Sequence, residues 1–205
     1  NPSQIIKVIL ALATLEDGIK QPILLSLRGD QGLNEAKLIT ALSQILNKLI
    51  LEINLITNDQ LSIEGLDDLP FGSLGPDLDN KVLKGSKKWV NKFLRLADIS
   101  ASELTNFVCG ANKKGYHKEG YDWNLLGGLP TVIDIRNAKS GDRCLHDKNQ
   151  ILQESRGIEV GHIFQLGCKY SKSLNANFTS KEGKQEPFWM GCYGIGISRL
   201  AQAAV

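Results

Sequence analysis

The chain has 205 residues, 42% of them hydrophobic and 22% charged, with a formal net charge of +2. That is enough for one good core, or for one domain and part of a second, with the composition of an ordinary soluble globular protein. Global charge does not mark a nucleic-acid binder, no apolar run reaches membrane-spanning length, and no secretory signal opens the chain. The first residue is Asn1, and residues 200–205 read as a helix in its first turns. The expectation is an internal fragment of a longer protein. Cys109, Cys144, Cys168 and Cys192 are widely spaced, which reads as reduced cytosolic thiols rather than a disulfide framework. Cys144 and His146 resemble half a metal site, but a structural zinc needs four ligands with partner spacing, so no metal is expected.

Residues 5–13 form an apolar, β-branched run broken by one lysine, and read as a buried strand. A turn at 16–18 and a second strand at 22–27 make a hairpin. Residues 28–32 are a loop, and Asn34 caps an amphipathic helix over 35–49 carrying Leu38, Leu42, Ile45, Leu46 and Leu49. A short strand follows at 53–57, then a short helix capped by Asn58. Residues 70–76 are a Gly/Pro loop whose backbone N–H groups suit an oxyanion or carbonyl. The next segment is basic, with Lys81, Lys84, Lys87, Lys88, Lys92 and Arg95. Ser86 is read as the cap of a helix over 86–95 with apolar Trp89, Val90, Phe93 and Leu94. Its cationic face is a solvated surface or a contact for nucleic-acid phosphates. A helical turn starts at Ser100 or Ser102, residues 107–123 hold two strands and a turn, and residues 130–136 another strand. Residues 136–155 read as a polar linker. Irregular alternation of strands and helices predicts a mixed α/β sheet.

The run from Gly157 to Gly167 alternates polar Glu159, His162 and Gln165 with apolar residues. Residues 189–199 then place Gly191, Gly194 and Gly196 in a strand that ends in Arg199. Such glycines let a ligand approach the backbone, and an arginine beyond them can lie on a base or grip a phosphate. The whole wording resembles the catalytic core of bacterial-type prolyl-tRNA synthetases, with the Gly-rich part matching motif 3 of class II synthetases. Residues 1–135 resemble the editing insertion of the same enzymes, which is related to free-standing YbaK-type deacylases. That match rests on Ile6-Lys7, on Leu27-Arg28-Gly29-Asp30 with Leu33 to Lys37, on Gly72-Ser73-Leu74-Gly75-Pro76 and on Ala97-Asp98. It continues through Gly110-Ala111-Asn112, Gly115-Tyr116-His117, Trp123 and Asp134 to Asn137.

The resemblance implies a YbaK-like mixed-sheet editing domain at 1–135, a linker at 136–155, and a partial class II antiparallel core at 156–205. It implies hydrolysis of alanine mischarged onto proline tRNA, with Lys7, Asp98 and His117 as the working residues. Gly72, Ser73, Leu74 and Gly75 hold the substrate. In the core it assigns Glu159, His162, Phe164, Gln165 and Cys192 to the proline and adenylate pocket, and Arg199, Gly194 and Gly196 to ATP. ATP with Mg2+, proline, the alanine ester and tRNA follow as substrates of a cytoplasmic, homodimeric parent. Motifs 1 and 2 are absent, the stretch from Pro76 to Asp98 is longer than the family pattern, and Asp147 stands where many relatives have a second cysteine after Cys144. Two other readings stay open: a tRNA-binding insertion whose editing site has decayed, and a free-standing deacylase.

Overall fold

The computed structural model describes residues 1–86, 88–144 and 146–205. Lys87 and Leu145, both within stretches singled out in the sequence, lie outside the described residues. The chain divides into two compact units, Asn1–Gln150 and Ile151–Val205. The first therefore includes most of the stretch read as a linker. Among the described residues, no helix is long and apolar enough to cross a membrane.

The first unit is built on a hairpin. Strand β1 (Ile5–Leu15) and β2 (Lys20–Arg28) pair antiparallel, with Lys7 opposite Leu27 and Thr14 opposite Lys20. The turn between them uses Gly18 at φ 77° and an Asp17 side chain that accepts from the Ile19 N–H. Both strands are apolar on both faces, which suits the middle of a covered sheet. Helix α1 (Glu35–Leu46) begins at Asn34, whose side chain accepts from the Lys37 N–H, and ends on Asn47 in the left-handed region. Strand β3 (Ile50–Leu55) and helix α2 (Asn58–Ile63) follow. After a long irregular stretch come β4 (Leu94–Asp98), α3 (Ile99–Ser102), β5 (Phe107–Gly110), β6 (His117–Tyr121) and β7 (Thr131–Ile133).

These strands form one seven-stranded sheet in the order β6-β5-β1-β2-β4-β7, with β3 also on β1. The sheet is mixed. The β1–β2, β1–β3 and β5–β6 pairs are antiparallel, and β1–β5, β2–β4 and β4–β7 are parallel. One edge of β1 is shared: Ile5 and Ile6 face β5, and Ala11 to Leu15 face β3. Leu38 and Leu42 of α1 pack with Ala11, Ala13, Leu25 and Leu27 on one face. Leu10, Leu12 and Leu24 point to the other, under Leu61, Leu74, Leu83, Trp89 and Phe93.

Among the described residues of 86–95, the expected helix is not formed. Its Ser86 does accept from the Trp89 N–H, as a cap would, but the backbone then bonds to β2 instead. Lys20 N–H donates to Lys88 O, Val90 N–H to Lys20 O, and the Gln21 side chain to Lys92 O. Asn80 accepts from the Phe93 N–H. These bonds draw the segment out beside β2, leading into β4, and bury Trp89 and Phe93, so the four-residue spacing of two core aromatics imitates a helical face. Lys84, Lys88 and Lys92 are exposed on irregular backbone, and Lys81 is exposed on a short 3-10 turn at Asn80–Leu83.

The second unit contains β8 (Gly161–Gly167), α4 (Lys169–Ser173), β9 (Asn177–Thr179), β10 (Gln185–Pro187), β11 (Met190–Ile195) and α5 (Ile197–Ala204). It holds two antiparallel pairs, β8 with β11 and β9 with β10. Ser171, fully buried, donates to Phe188 O at 2.6 Å and ties α4 to the link between β10 and β11.

Leu42 is fully buried between α1 and the sheet. Leu42→Ala should lower the stability of the first unit by about 3 kcal/mol, the range for an incompletely collapsing core site. The check is the denaturant midpoint, and a midpoint equal to wild type would contradict this packing.

Candidate functional site

The register of the sheet aligns the sequence-predicted residues of the first unit. Lys7 pairs with Leu27. Ser26 pairs with Ala97, so Asp98 stands one step further, beside Leu27. Ile6 pairs with Cys109, so Gly110 stands beside Lys7, and Gly110 pairs with His117. Asp98, Leu27, Lys7, Gly110 and His117 therefore form one row across adjacent strands. Laterally aligned residues share a face, so all three candidate side chains point to the same side. With strands about 4.8 Å apart, Lys7 lies roughly 10 Å from Asp98 and from His117 at Cα, and those two are roughly 19 Å apart. Asp98 and His117 cannot hold the same substrate atom.

The loop 72–76 lies over Gly110. A Cβ on Gly110 would stand 2.3 Å from Leu74 O, and one on Gly75 would stand 2.4 Å from Gly110 O. Only glycine permits this backbone-to-backbone approach. Two of the loop's N–H groups are committed internally: Ser73 to Pro70 O, and Gly75 to Asn112 Oδ1 at 2.7 Å. Among the described residues, the N–H groups of Gly72 and Leu74 have no partner, so these two, not the whole loop, can serve a carbonyl oxygen.

Lys7 is half-buried. Its ammonium donates to Gly29 O at 3.4 Å and to Gln31 O. An ammonium has three donors, so one remains for a substrate. Asp98 is 1% exposed. Its Oδ1 accepts from Ser100 N–H at 3.0 Å, capping α3, and its Oδ2 accepts from Ile135 N–H at 3.0 Å. The Ser100 hydroxyl lies 2.5 Å from both Asp98 Oδ1 and the buried Gln31 amide. Asp98 thus reaches Lys7 through Ser100 and Gln31 and has no open face of its own. Gln31 and Ser100 are parts of the site that sequence reasoning missed. Their only signal was position, one in the loop after β2 and the other two residues after Asp98. His117 is exposed at the start of β6.

An ion-pair network holds the loop that holds Lys7. Asp30 pairs with Arg28 at 2.6 Å and with Lys139. Asp142 pairs with Arg136 and accepts from the Lys139 N–H. The Asn137 N–H donates to Gly32 O. The Arg28 guanidinium and the Lys139 ammonium hold the Asp30 carboxyl well below the usual carboxylate range, and Arg136 lowers Asp142.

In the second unit, Glu159, His162, Phe164 and Arg199 form one cluster. His162 and Phe164 stack at 4.0 Å, the His162 ring lies 3.2 Å from Glu159 Oε2, and Arg199 donates to Glu159 O at 2.7 Å. Cys192 is opposite Phe164, and Gly194 is opposite His162, where it leaves that face clear. By strand alternation Gln165 faces away from His162 and Phe164, so the expected pocket residues do not all share one side. A cleft of about 480 Å3 lies at Phe164, Gln165, Trp189, Met190 and Tyr193, within the usual range for small-molecule sites. Among the described residues no group of three or more His, Cys, Asp and Glu is placed to hold a metal ion.

No family model matches the chain. The chain is 59% identical over 204 residues to a proline–tRNA ligase of Prochlorococcus marinus strain MIT 9313, covering 100% of this chain and 34% of that protein. It is 57% identical over 205 residues to a proline–tRNA ligase of Synechococcus strain CC9311, again covering 100% of this chain and 34% of the relative. The chain thus spans about a third of the length of the curated relatives it matches. A solved structure of a proposed trans-editing enzyme for prolyl tRNA synthetase aligns with 67% of this chain and 73% of its own, at 13% identity and a TM-score of 0.42. That likeness is too remote to support a functional statement.

The ion-pair network predicts an acid-sensitive first unit. Both carboxyls ionise below their unfolded value in the folded chain, so their contribution is complete above about pH 4 and fades as pH falls through the depressed folded values. In a melting series from pH 6 downward, Asp30→Asn should start less stable and lose less on acidification than wild type. Parallel curves would show that the network adds nothing.

Proposed function

From the match of the whole chain to about a third of the length of proline–tRNA ligases, we propose that it is the part of such a ligase that edits mischarged tRNA and begins the last section of the catalytic core. Residues 1–135 are the editing insertion, 136–155 the connection, and 156–205 a piece of class II core with motif 3. The observation that carries the editing reading is the row of Lys7, Gly110 and His117 on one face, with the loop 72–76 above Gly110.

In this reading the substrate is the ester between alanine and the terminal ribose of proline tRNA. Water attacks the ester carbonyl carbon. The carbonyl oxygen gains negative charge, to which the Gly72 and Leu74 N–H groups and the free donor of Lys7 are addressed. The bond to the ribose oxygen then breaks, that oxygen takes a proton, and alanine leaves. His117, exposed and on the far side of Gly110, orients the water or the ribose. Asp98 holds Lys7 in place through Ser100 and Gln31. An ester needs little activation, so positioning and a few aimed donors suffice.

In the second unit Arg199 is the residue for the adenine of ATP, which with Mg2+ and proline is a substrate of the whole ligase. The Arg199 guanidinium already lies against Glu159, on the side of β8 that carries His162 and Phe164. The whole ligase is read as a cytoplasmic homodimer acting on tRNA. The exposed lysines before β4 suit tRNA phosphates. Lys88→Ala with Lys92→Ala should reduce the salt-dependence slope of tRNA binding by about two. An unchanged slope would return them to a solvated surface.

Two assays on two variants of the full-length ligase test the proposal. Lys7→Ala should slow alanyl-tRNA hydrolysis on the order of a hundredfold, the usual loss for one charge-stabilising donor, with proline activation nearly intact. Arg199→Ala should abolish proline-dependent ATP–pyrophosphate exchange and keep hydrolysis. The 205-residue chain alone should show no exchange, since motif 2 is not in it. A Lys7→Ala ligase that hydrolyses like wild type would favour the decayed, tRNA-binding insertion.

A further inference from the structure

We propose that Asn112 is a positioning residue for the hydrolysis, setting residues 73–77 against the hairpin that carries His117. The proposal rests on the hydrolytic reading of the first unit.

Every polar group of Asn112 that can reach the loop is used. Its backbone N–H donates to Ser73 O at 2.9 Å. Its side-chain Oδ1 accepts from Gly75 N–H at 2.7 Å, and its Nδ2 donates to Asp77 Oδ1 at 2.9 Å. The other Asp77 oxygen pairs with Lys118, the neighbour of His117. From the β5–β6 turn, the Gly115 N–H also donates to Ser73 Oγ at 3.0 Å. Asn112 holds φ 56°, a left-handed conformation that asparagine accepts better than most residues.

The chemistry is specific to a side-chain amide. Gly75 needs an acceptor and Asp77 needs a donor, and one short side chain must supply both. Glycine at 75 and 110 leaves no side chain to wedge the loop from below, so hydrogen bonds set its height above the strand. Turning the Gly75 N–H to Asn112 also leaves Leu74 N–H as the neighbouring donor with no partner among the described residues. Losing the clip would move that donor relative to His117, and a displacement of about 1 Å can lower a rate about a hundredfold.

The test uses the full-length ligase with alanyl-tRNA as substrate. Asn112→Ala should lower kcat about a hundredfold and leave KM within about twofold. Asn112→Asp keeps the acceptor for Gly75 but sets a like charge against Asp77, and should fall as far near neutral pH. Combining Asn112→Asp with Asp77→Asn restores one acceptor and one donor, and should recover kcat to within about tenfold. Unfolding midpoints identify any variant that fails to fold, and the double variant then carries the comparison. Wild-type kcat in Asn112→Ala, or a folded double variant no faster than Asn112→Asp, overturns the proposal. A wild type that hydrolyses nothing rejects the hydrolytic reading instead. Hydrogen exchange at the Gly75 amide then decides the clip: faster exchange in Asn112→Ala supports it, and equal exchange overturns it.

Discussion

Burial of β1 on both faces fixes the rest of the first unit. Its even positions Ile6, Leu10 and Leu12 pack one way and its odd positions Ala11, Ala13 and Leu15 the other, each into a closed cluster. A slip of one residue would turn both sets over, so the register is strongly held. Lys7 is the one charged residue of the strand, and that register decides which face it reaches. Because β1 pairs with β2 on one side and β5 on the other, the same constraint sets Leu27 and Gly110 beside it, and through them Asp98 and His117.

Around that row the structure works by holding backbone. Lys7 is aimed by two carbonyls of a loop, and that loop is held by Asp30 between Arg28 and Lys139. The loop 72–76 is held by Asn112 from the next hairpin. Asp98, a working residue on the family resemblance, is placed as a cap and a tie: a carboxylate with three protein donors and 1% exposure is a poor direct partner for substrate. The work divides between residues that touch a ligand and residues that hold them, and the second group is the larger.

Much of this was legible in the residues. The hairpin of β1 and β2 followed from two apolar runs around a Gly turn, and α1 from Asn34 with Leu38 and Leu42 at helical spacing. The candidate side chains Lys7, Asp98 and His117 came from wording that resembles a family. Their alignment did not, because lateral register is a tertiary property that no local pattern encodes. Residues 86–95 misled for a related reason. Trp89 and Phe93 have helical spacing, but bonds to Lys20, Gln21 and Asn80, all distant in sequence, outweigh local propensity. Gln31, Ser100 and Asn112 are ordinary polar loop residues until their partners are known. In the second unit, the strand-to-helix passage from β11 to α5 was readable from the glycines.

The contact between Gly75 and Gly110 has a kinetic consequence. With backbone against backbone there is no flexible side chain to swing aside, so the loop is not a lid. To separate from the strand it must break its bonds to Asn112 and the bond from the Gly115 N–H to Ser73 Oγ together. On the proposed hydrolytic reading, solvent viscosity, which slows large segmental motions, would leave the rate untouched. Cooling would slow it only through the chemical barrier.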